Sequence, residues 1–169
     1  MPFERDFSMQ RYFMDEIKAL LGRCLIGEAP AEEDRHHNTD FMVLDLKPLR
    51  VACRIRRHSH IVRYGDQFTI RTKRHSGRET ELAKVLDGWG DYIFYGFAGP
   101  TNDFLCRWFL GDLNVFRSWY STELMRDPSK TPGIAKSNRD GSSDFAAFEL
   151  AEMTSGFIVA RYDNRWMAA

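Results

Sequence analysis

The stretch VACRIRR (51–57) decides how this chain is read. Val51, Cys53 and Ile55 alternate with Ala52, Arg54 and Arg56. Successive side chains of a β-strand point to opposite faces, so a period of two predicts a strand with one apolar and one charged face. Arg54 and Arg56 are therefore expected to share the face opposite Val51, Cys53 and Ile55. Arg57 carries the charge past the strand end.

Short elements flank this strand. Upstream, FMVLDL (41–46) reads as a first strand, and Lys47-Pro48-Leu49 turns the chain. The two strands are expected to be adjacent and antiparallel. Downstream, HSHIVRYGD (58–66) reads as a loop or strand extension, with Tyr64-Gly65-Asp66 as a turn. QFTIRT (67–72) is a third strand, alternating Phe68 and Ile70 with Gln67, Thr69 and Arg71. SGRETELAKVLDGWG (76–90) is a helix with Ser76 and Glu79 at capping-box spacing. Its apolar stripe is Leu82, Val85 and Leu86, and Gly88 is its stop.

Before this block, residues 8–24 place Met9, Phe13, Ile17, Leu20, Leu21 and Cys24 at helical spacing, with Ser8 as N-cap. A charged loop containing Pro30 follows. After it, DYIFYGFA (91–98) is a strand. FLCRWFLGDLNVFRSWY (104–120) holds a strand and then a short helix, with Asp112 near the junction. Residues 126–143 have the composition of a loop, with Asp140-Gly141 as a turn. FAAFEL (145–150) and GFIVARY (156–162) are two late strands. Helices around a mixed central sheet make this an α/β or α+β fold with a β-rich C-terminal part.

At 169 residues the chain has the length of a single domain, large enough to bury roughly 70% of its unfolded surface. Thirteen phenylalanines promise an aromatic core. No run of 18 apolar residues suits a membrane helix. The charged start MPFERDFSMQ has no apolar signal region. Cys24, Cys53 and Cys106 lie far apart in apolar segments, as reduced core thiols of a cytosolic protein would. No CxxC pair suggests structural zinc.

The 24 basic and 24 acidic residues balance, but unevenly along the chain. Residues 47–78 hold ten Lys or Arg and one acid, Asp66. A concentrated basic segment in a neutral chain can form a local anion-binding surface, with Arg54, Arg56, Arg57, Arg71, Lys73 and Arg74 as its candidate nucleic-acid contacts. Arginine forks bind phosphate oxygens bidentately. The plainer alternative pairs Arg54 and Arg56 with carboxylates such as Asp40 or Asp45, or leaves them in water.

The order helix, three strands, helix, strand over residues 8–97 resembles the PD-(D/E)XK nuclease-like superfamily. Asp40 leads into the first strand, and charged residues stand on the second. The resemblance implies a catalytic site at Asp40, Arg54 and Arg56 that acts on DNA or RNA with Mg²⁺ or Mn²⁺. There two carboxylates hold the metal at the scissile phosphate, and a lysine handles the attacking water. The second strand reads Ala52-Cys53-Arg54 or Arg54-Ile55-Arg56 where the family has an acid and a lysine. Arginine does not deprotonate in proteins and cannot act as the base. The metal set would then be Asp40 with Glu33 and Asp34 of the preceding loop, while Glu32 and Glu16 are further sources of an acid. The implied protein is nucleic-acid-associated with an eroded or rearranged site. The alternative is a non-enzymatic interaction or inhibitor protein whose partner is another protein. The chain has the general character of a small phage or mobile-element accessory protein.

Other residues carry a chemical and a structural possibility each. His36-His37 and His58-Ser59-His60 suit metal ligation or an exposed loop. Asp91 and Asp112 suit catalysis or capping. Trp89, Tyr92, Phe94 and Tyr95 suit base stacking or core packing. No GxSxG, Walker A, GxGxxG or HExxH motif is present.

Overall fold

The structure is a computed structural model and describes residues 11–28, 41–43, 49–74, 79–138, 141 and 143–164. Two compact units divide the chain, residues 1–49 and residues 50–169.

In the first unit, helix α1 spans Met14–Leu25. Asp15 and Glu16 lie in its first turn, where the helix dipole favours negative charge. Phe13 and Ile17, four residues apart on one face, are buried. The expected cap at Ser8 lies outside the described residues. Strands β1, Ile26–Glu28, and β2, Phe41–Val43, pair antiparallel. β2 is the first half of the expected FMVLDL strand, and residues 44–48 lie outside the description.

The second unit holds two sheets. β3, Val51–Arg56, forms as its alternation predicts. The segment that follows is not a loop or strand extension. His58–His60 make a 3-10 turn, and Ile61–Tyr64 make a single helical turn, α2. The burial spacing explains the difference, because Ile61 and Gly65, four residues apart, are buried while Val62 and Arg63 between them are exposed. One inward position per turn suits a helical turn and not a strand. Strand β4 is Gln67–Arg74 and helix α3 is Glu81–Leu86. The helix cap is Thr80, whose hydroxyl accepts from the Ala83 N–H at 3.2 Å, and not the expected Ser76. Leu82 and Val85 are buried, while Leu86 at the last turn is partly exposed. Gly88 takes φ +90° just beyond the helix, a conformation that costs glycine least.

Strand β5 is Tyr92–Ala98 and β6 is Leu105–Asp112. Helix α4, Leu113–Arg126, is longer than the short helix expected. The Asp112 carboxylate caps it by accepting from the N–H groups of Asn114 at 2.7 Å and Val115 at 3.2 Å. Asp112→Ala should therefore cost about 1 kcal/mol in chemical denaturation. No loss would mean that the cap geometry is wrong. β7, Ile134–Ser137, falls inside the segment expected as loop. All four of its residues are exposed, so no apolar alternation marks it in the sequence. β8 is Ser143–Glu149, and β9 is Ile158–Asp163. A 3-10 turn at Leu150–Glu152 follows β8.

One sheet has the order β3-β5-β6-β9 and the other β4-β8-β7. β3 runs parallel to β5, and all other pairs are antiparallel. The mixed sheet and surrounding helices make this an α/β or α+β fold. The predicted meander does not form among the described residues, since β2 pairs with β1, β3 pairs with β5 in parallel and not with β2 antiparallel, and β4 lies in the other sheet. The β-rich character expected after residue 100 holds, but those strands are woven into both sheets. β6 is an inner strand of one and β8 of the other.

The sheets meet through aromatic side chains. Phe68 of β4 lies 6.4 Å from Tyr95 of β5 and 5.8 Å from Phe109 of β6, ring centre to ring centre. α4 adds Phe116, Trp119 and Tyr120 to the same cluster. Among the described residues, no helix is long and apolar enough to cross a membrane.

Candidate functional site

The parallel register places Arg54 beside Tyr95 and Arg56 beside Phe97. Ile55 lies beside Gly96, and Cys53 beside Phe94. Paired residues of neighbouring strands share a face. Arg54 and Arg56 therefore do share one face, opposite Val51, Cys53 and Ile55, as the alternation predicts. That face is not open. It is the face of Tyr95 and Phe97, both buried and turned toward the other sheet. The opposite face is covered as well, since Phe94 is fully buried and stacks on Trp108 at 5.4 Å.

The arginine heads lie at the rim of this interior, because β3 is an edge strand. Long arginine stems can follow an apolar surface and deliver the charge to its margin. Arg54 Nη2 donates to both Glu81 carboxylate oxygens, at 2.8 and 2.6 Å. Its Nη1 donates to the Thr69 hydroxyl at 3.2 Å and the Thr69 carbonyl at 3.3 Å. Arg56 Nη2 donates to the Thr69 hydroxyl at 2.6 Å, and its Nε to the Tyr95 hydroxyl at 3.0 Å. Glu81 Oε2 also accepts the backbone N–H of Arg71 at 3.2 Å.

These contacts have a structural purpose. β4 is also an edge strand, and edge strands present unpaired backbone groups. The Thr69 carbonyl and the Arg71 N–H of β4 are satisfied by Arg54 and Glu81. Arg54 and Glu81, from β3 and α3, thus stitch the edges of the two sheets together. Neither Glu81 nor Thr69 stands out in the sequence. Glu81 is 27 residues from Arg54 and looks like an ordinary first-turn helix acid. Its only signal is the surplus of arginine on β3, which needs a carboxylate from somewhere.

The other candidates scatter. Arg57 and Lys73 are exposed, Arg71 is half-buried, and Arg74 ends β4. Asp40, Glu33 and Asp34 lie outside the described residues, as do Glu32 and the His36-His37 pair. Glu16 lies on α1. Among the described residues, no three His, Cys, Asp or Glu side chains come together as a metal site would require. His60 packs its ring near Tyr64, at 5.9 Å. Phe94 and Tyr95 are core residues. Trp89 is 60% exposed, with the Arg50 guanidinium 5.3 Å from its ring centre. Asp91 accepts the Arg50 backbone N–H at 2.7 Å. That bond, with the nearby guanidinium, holds the Asp91 carboxyl below the usual range.

A cleft of about 380 Å³ opens elsewhere, lined by Arg107, Phe109, Leu150, Ile158, Arg161 and Asp163 among others. Arg107 is largely buried and donates to Asp66 at 2.7 Å, with Asp163 at 3.4 Å from its Nε. Both carboxylates lie on Arg107, whose Nη1 is buried without a hydrogen-bond partner among the described residues, and Arg161 is exposed.

Burial pushes the thiols of Cys53 and Cys106 up. Cys106 is 1% exposed, and Cys53 is half-buried. Only the thiolate reacts with alkylating reagents. Cys106 should label only on unfolding, and Cys53 measurably sooner. Equal, rapid native labelling of both would contradict the burial of β6. Comparison with protein-family models, with curated proteins and with solved structures finds no match to this chain.

Proposed function

We propose that the chain is a non-enzymatic interaction protein whose partner is another protein. The observation that carries this is the fate of Arg54 and Arg56. A strand that grips phosphate must present its guanidinium forks to solvent. Here both forks are occupied from within by Glu81, Thr69 and Tyr95. Opening Arg54 to a phosphate would break a bidentate charged pair and expose two backbone groups of β4. The concentration of basic residues in 47–78 therefore serves the joint between the sheets, at least at β3.

A second reading keeps the nucleic-acid partner and the nuclease-like resemblance. Its support is Trp89, exposed beneath Arg50, an arrangement suited to stacking on a base. Its metal would be Mg²⁺ or Mn²⁺ held by Asp40 with Glu33 and Asp34.

One experiment separates the two. Single- and double-stranded DNA and RNA are titrated across salt concentrations, and parallel samples are incubated with Mg²⁺ or Mn²⁺. The interaction reading expects no saturable binding at low salt and no cleavage. Tight binding whose salt slope falls by about one unit in each of Arg54→Ala and Arg56→Ala would overturn it. Metal-dependent cleavage lost in Asp40→Asn would establish the nuclease reading instead.

A further inference from the structure

The cleft beside β9 is lined by residues of β6 and β9 and of the 3-10 turn that follows β8. In the ladder between β6 and β9, Arg161 is the partner of Phe109. Paired residues of neighbouring strands share a face, so the arginine stem and the ring stand side by side. That face is the one turned toward the other sheet, since Phe109 is buried there with its ring centre 5.8 Å from that of Phe68. Leu150 and Ile158, both half-buried against the core cluster, complete an apolar wall.

The two arginines of the cleft are in different states. Arg107 is committed. Its Nη2 holds Asp66 at 2.7 Å, and its Nε lies 3.4 Å from Asp163. Its Nη1 is tucked against Gly65, where an added Cβ would come within 2.5 Å of it. Arg161 is exposed, and among the described residues its guanidinium has no ion pair or hydrogen bond. It is thus an unmatched positive charge at the mouth of an apolar cleft.

Small-molecule sites are concave and mostly apolar, carry a few placed polar groups, and begin at about 300 Å³. The cleft, at about 380 Å³, lies near that lower end. An arginine fork matches a carboxylate bidentately. The charges present limit the ligand to one such group. Asp66 and Asp163 both lie on Arg107, so Arg161 alone is left to meet an anion. A second negative charge would find no guanidinium, and Asp163, two residues along the same face of β9, would repel it.

We propose that this cleft binds a small monocarboxylate with an apolar body. The carboxylate sits on the Arg161 guanidinium, and the body lies against Phe109, Leu150 and Ile158. This goes beyond the interaction reading and stands without it, because neither a protein nor a nucleic acid takes part.

The probe is 4-phenylbutyrate, titrated into the full chain and followed through backbone amide shifts by nuclear magnetic resonance. A ligand of about a dozen non-hydrogen atoms with one ion pair should saturate with a Kd of about 1 mM. The shifts should centre on Leu150, Ala151, Ile158 and Arg161. No saturation by about 20 mM overturns the proposal, and so does saturation that leaves those four amides unmoved. The amide 4-phenylbutyramide has the same body without the charge and should bind at least about tenfold more weakly. Equal binding of acid and amide overturns the role given to Arg161. In Arg161→Gln, with native circular dichroism, the acid should fall to the affinity of the amide, while the amide should bind as before. Unchanged affinity for the acid places the carboxylate elsewhere and overturns the site. Inorganic phosphate, with its higher charge, should bind more weakly than the acid, and tighter binding of phosphate overturns the monocarboxylate class.

Discussion

Phe68→Ala is expected to destabilise the protein by about 3–5 kcal/mol. The ring is wholly buried, and its centre lies 5.2 to 6.4 Å from those of Tyr95, Phe109, Phe116, Phe148 and Phe157. Those five rings come from both sheets of the second unit, from α4 and from the residue just before β9. No one element can move to fill the space, because each is held by its own ladder or helix. The cost is therefore the lost transfer energy plus most of the cavity. Domains of this kind have about 5–15 kcal/mol to lose, so the variant should be close to unfolding at physiological temperature. Urea denaturation with an unchanged slope would report the loss directly. A loss below about 1 kcal/mol would mean that Phe68 is not where the two sheets meet.

This joint marks the boundary of what the sequence carries. The apolar segments DYIFYGFA, FAAFEL and GFIVARY located β5, β8 and β9, and alternation located β3 and β4. It also set the arginines of β3 on one face. It could not say what lay on that face. Alternation is informative when one side of a sheet meets water. Here both sides of β5 and β6 are covered, so polarity no longer distinguishes inside from outside. An edge strand such as β3 can then turn arginine stems inward and leave only the heads at the rim. The partner, Glu81, was invisible for a different reason. It is distant in sequence and sits where any helix tolerates an acid. β7 was missed because an exposed edge strand of four residues needs no apolar pattern. α3 begins at Glu81 with Thr80 as its cap, while Ser76 lies outside the described residues, and capping-box spacing alone does not choose between two hydroxyl residues. Asp91 and Asp112, by contrast, were readable as structural acids from their places at turn and junction.

Thr69→Val should cost about 2–3 kcal/mol, more than Glu81→Ala at about 1 kcal/mol, although Glu81 makes the only formal ion pair of the cluster. The reason is solvent. The Glu81 side chain is 38% exposed and that of Arg54 21%, so water replaces much of what the carboxylate supplied. The Thr69 residue is 8% exposed, and its hydroxyl lies within reach of both guanidinium groups and of the Tyr95 hydroxyl at 3.3 Å. Valine has nearly the same outline but no acceptor. It would leave donors of two charged groups facing a methyl where water has little room to enter. Unmet hydrogen bonds at charged groups cost more than the same bonds gain when made. The two substitutions should also differ in salt. The Glu81→Ala loss should shrink as ionic strength rises, while the Thr69→Val loss should not, since the buried contacts are poorly screened. A double-mutant cycle of Thr69→Val with Arg56→Leu should show a coupling of about 1–2 kcal/mol. A coupling near zero would mean that Arg56 does not engage the Thr69 hydroxyl in solution. That end of the guanidinium would then be open to a phosphate, and the case against nucleic acid at β3 would be lost at Arg56.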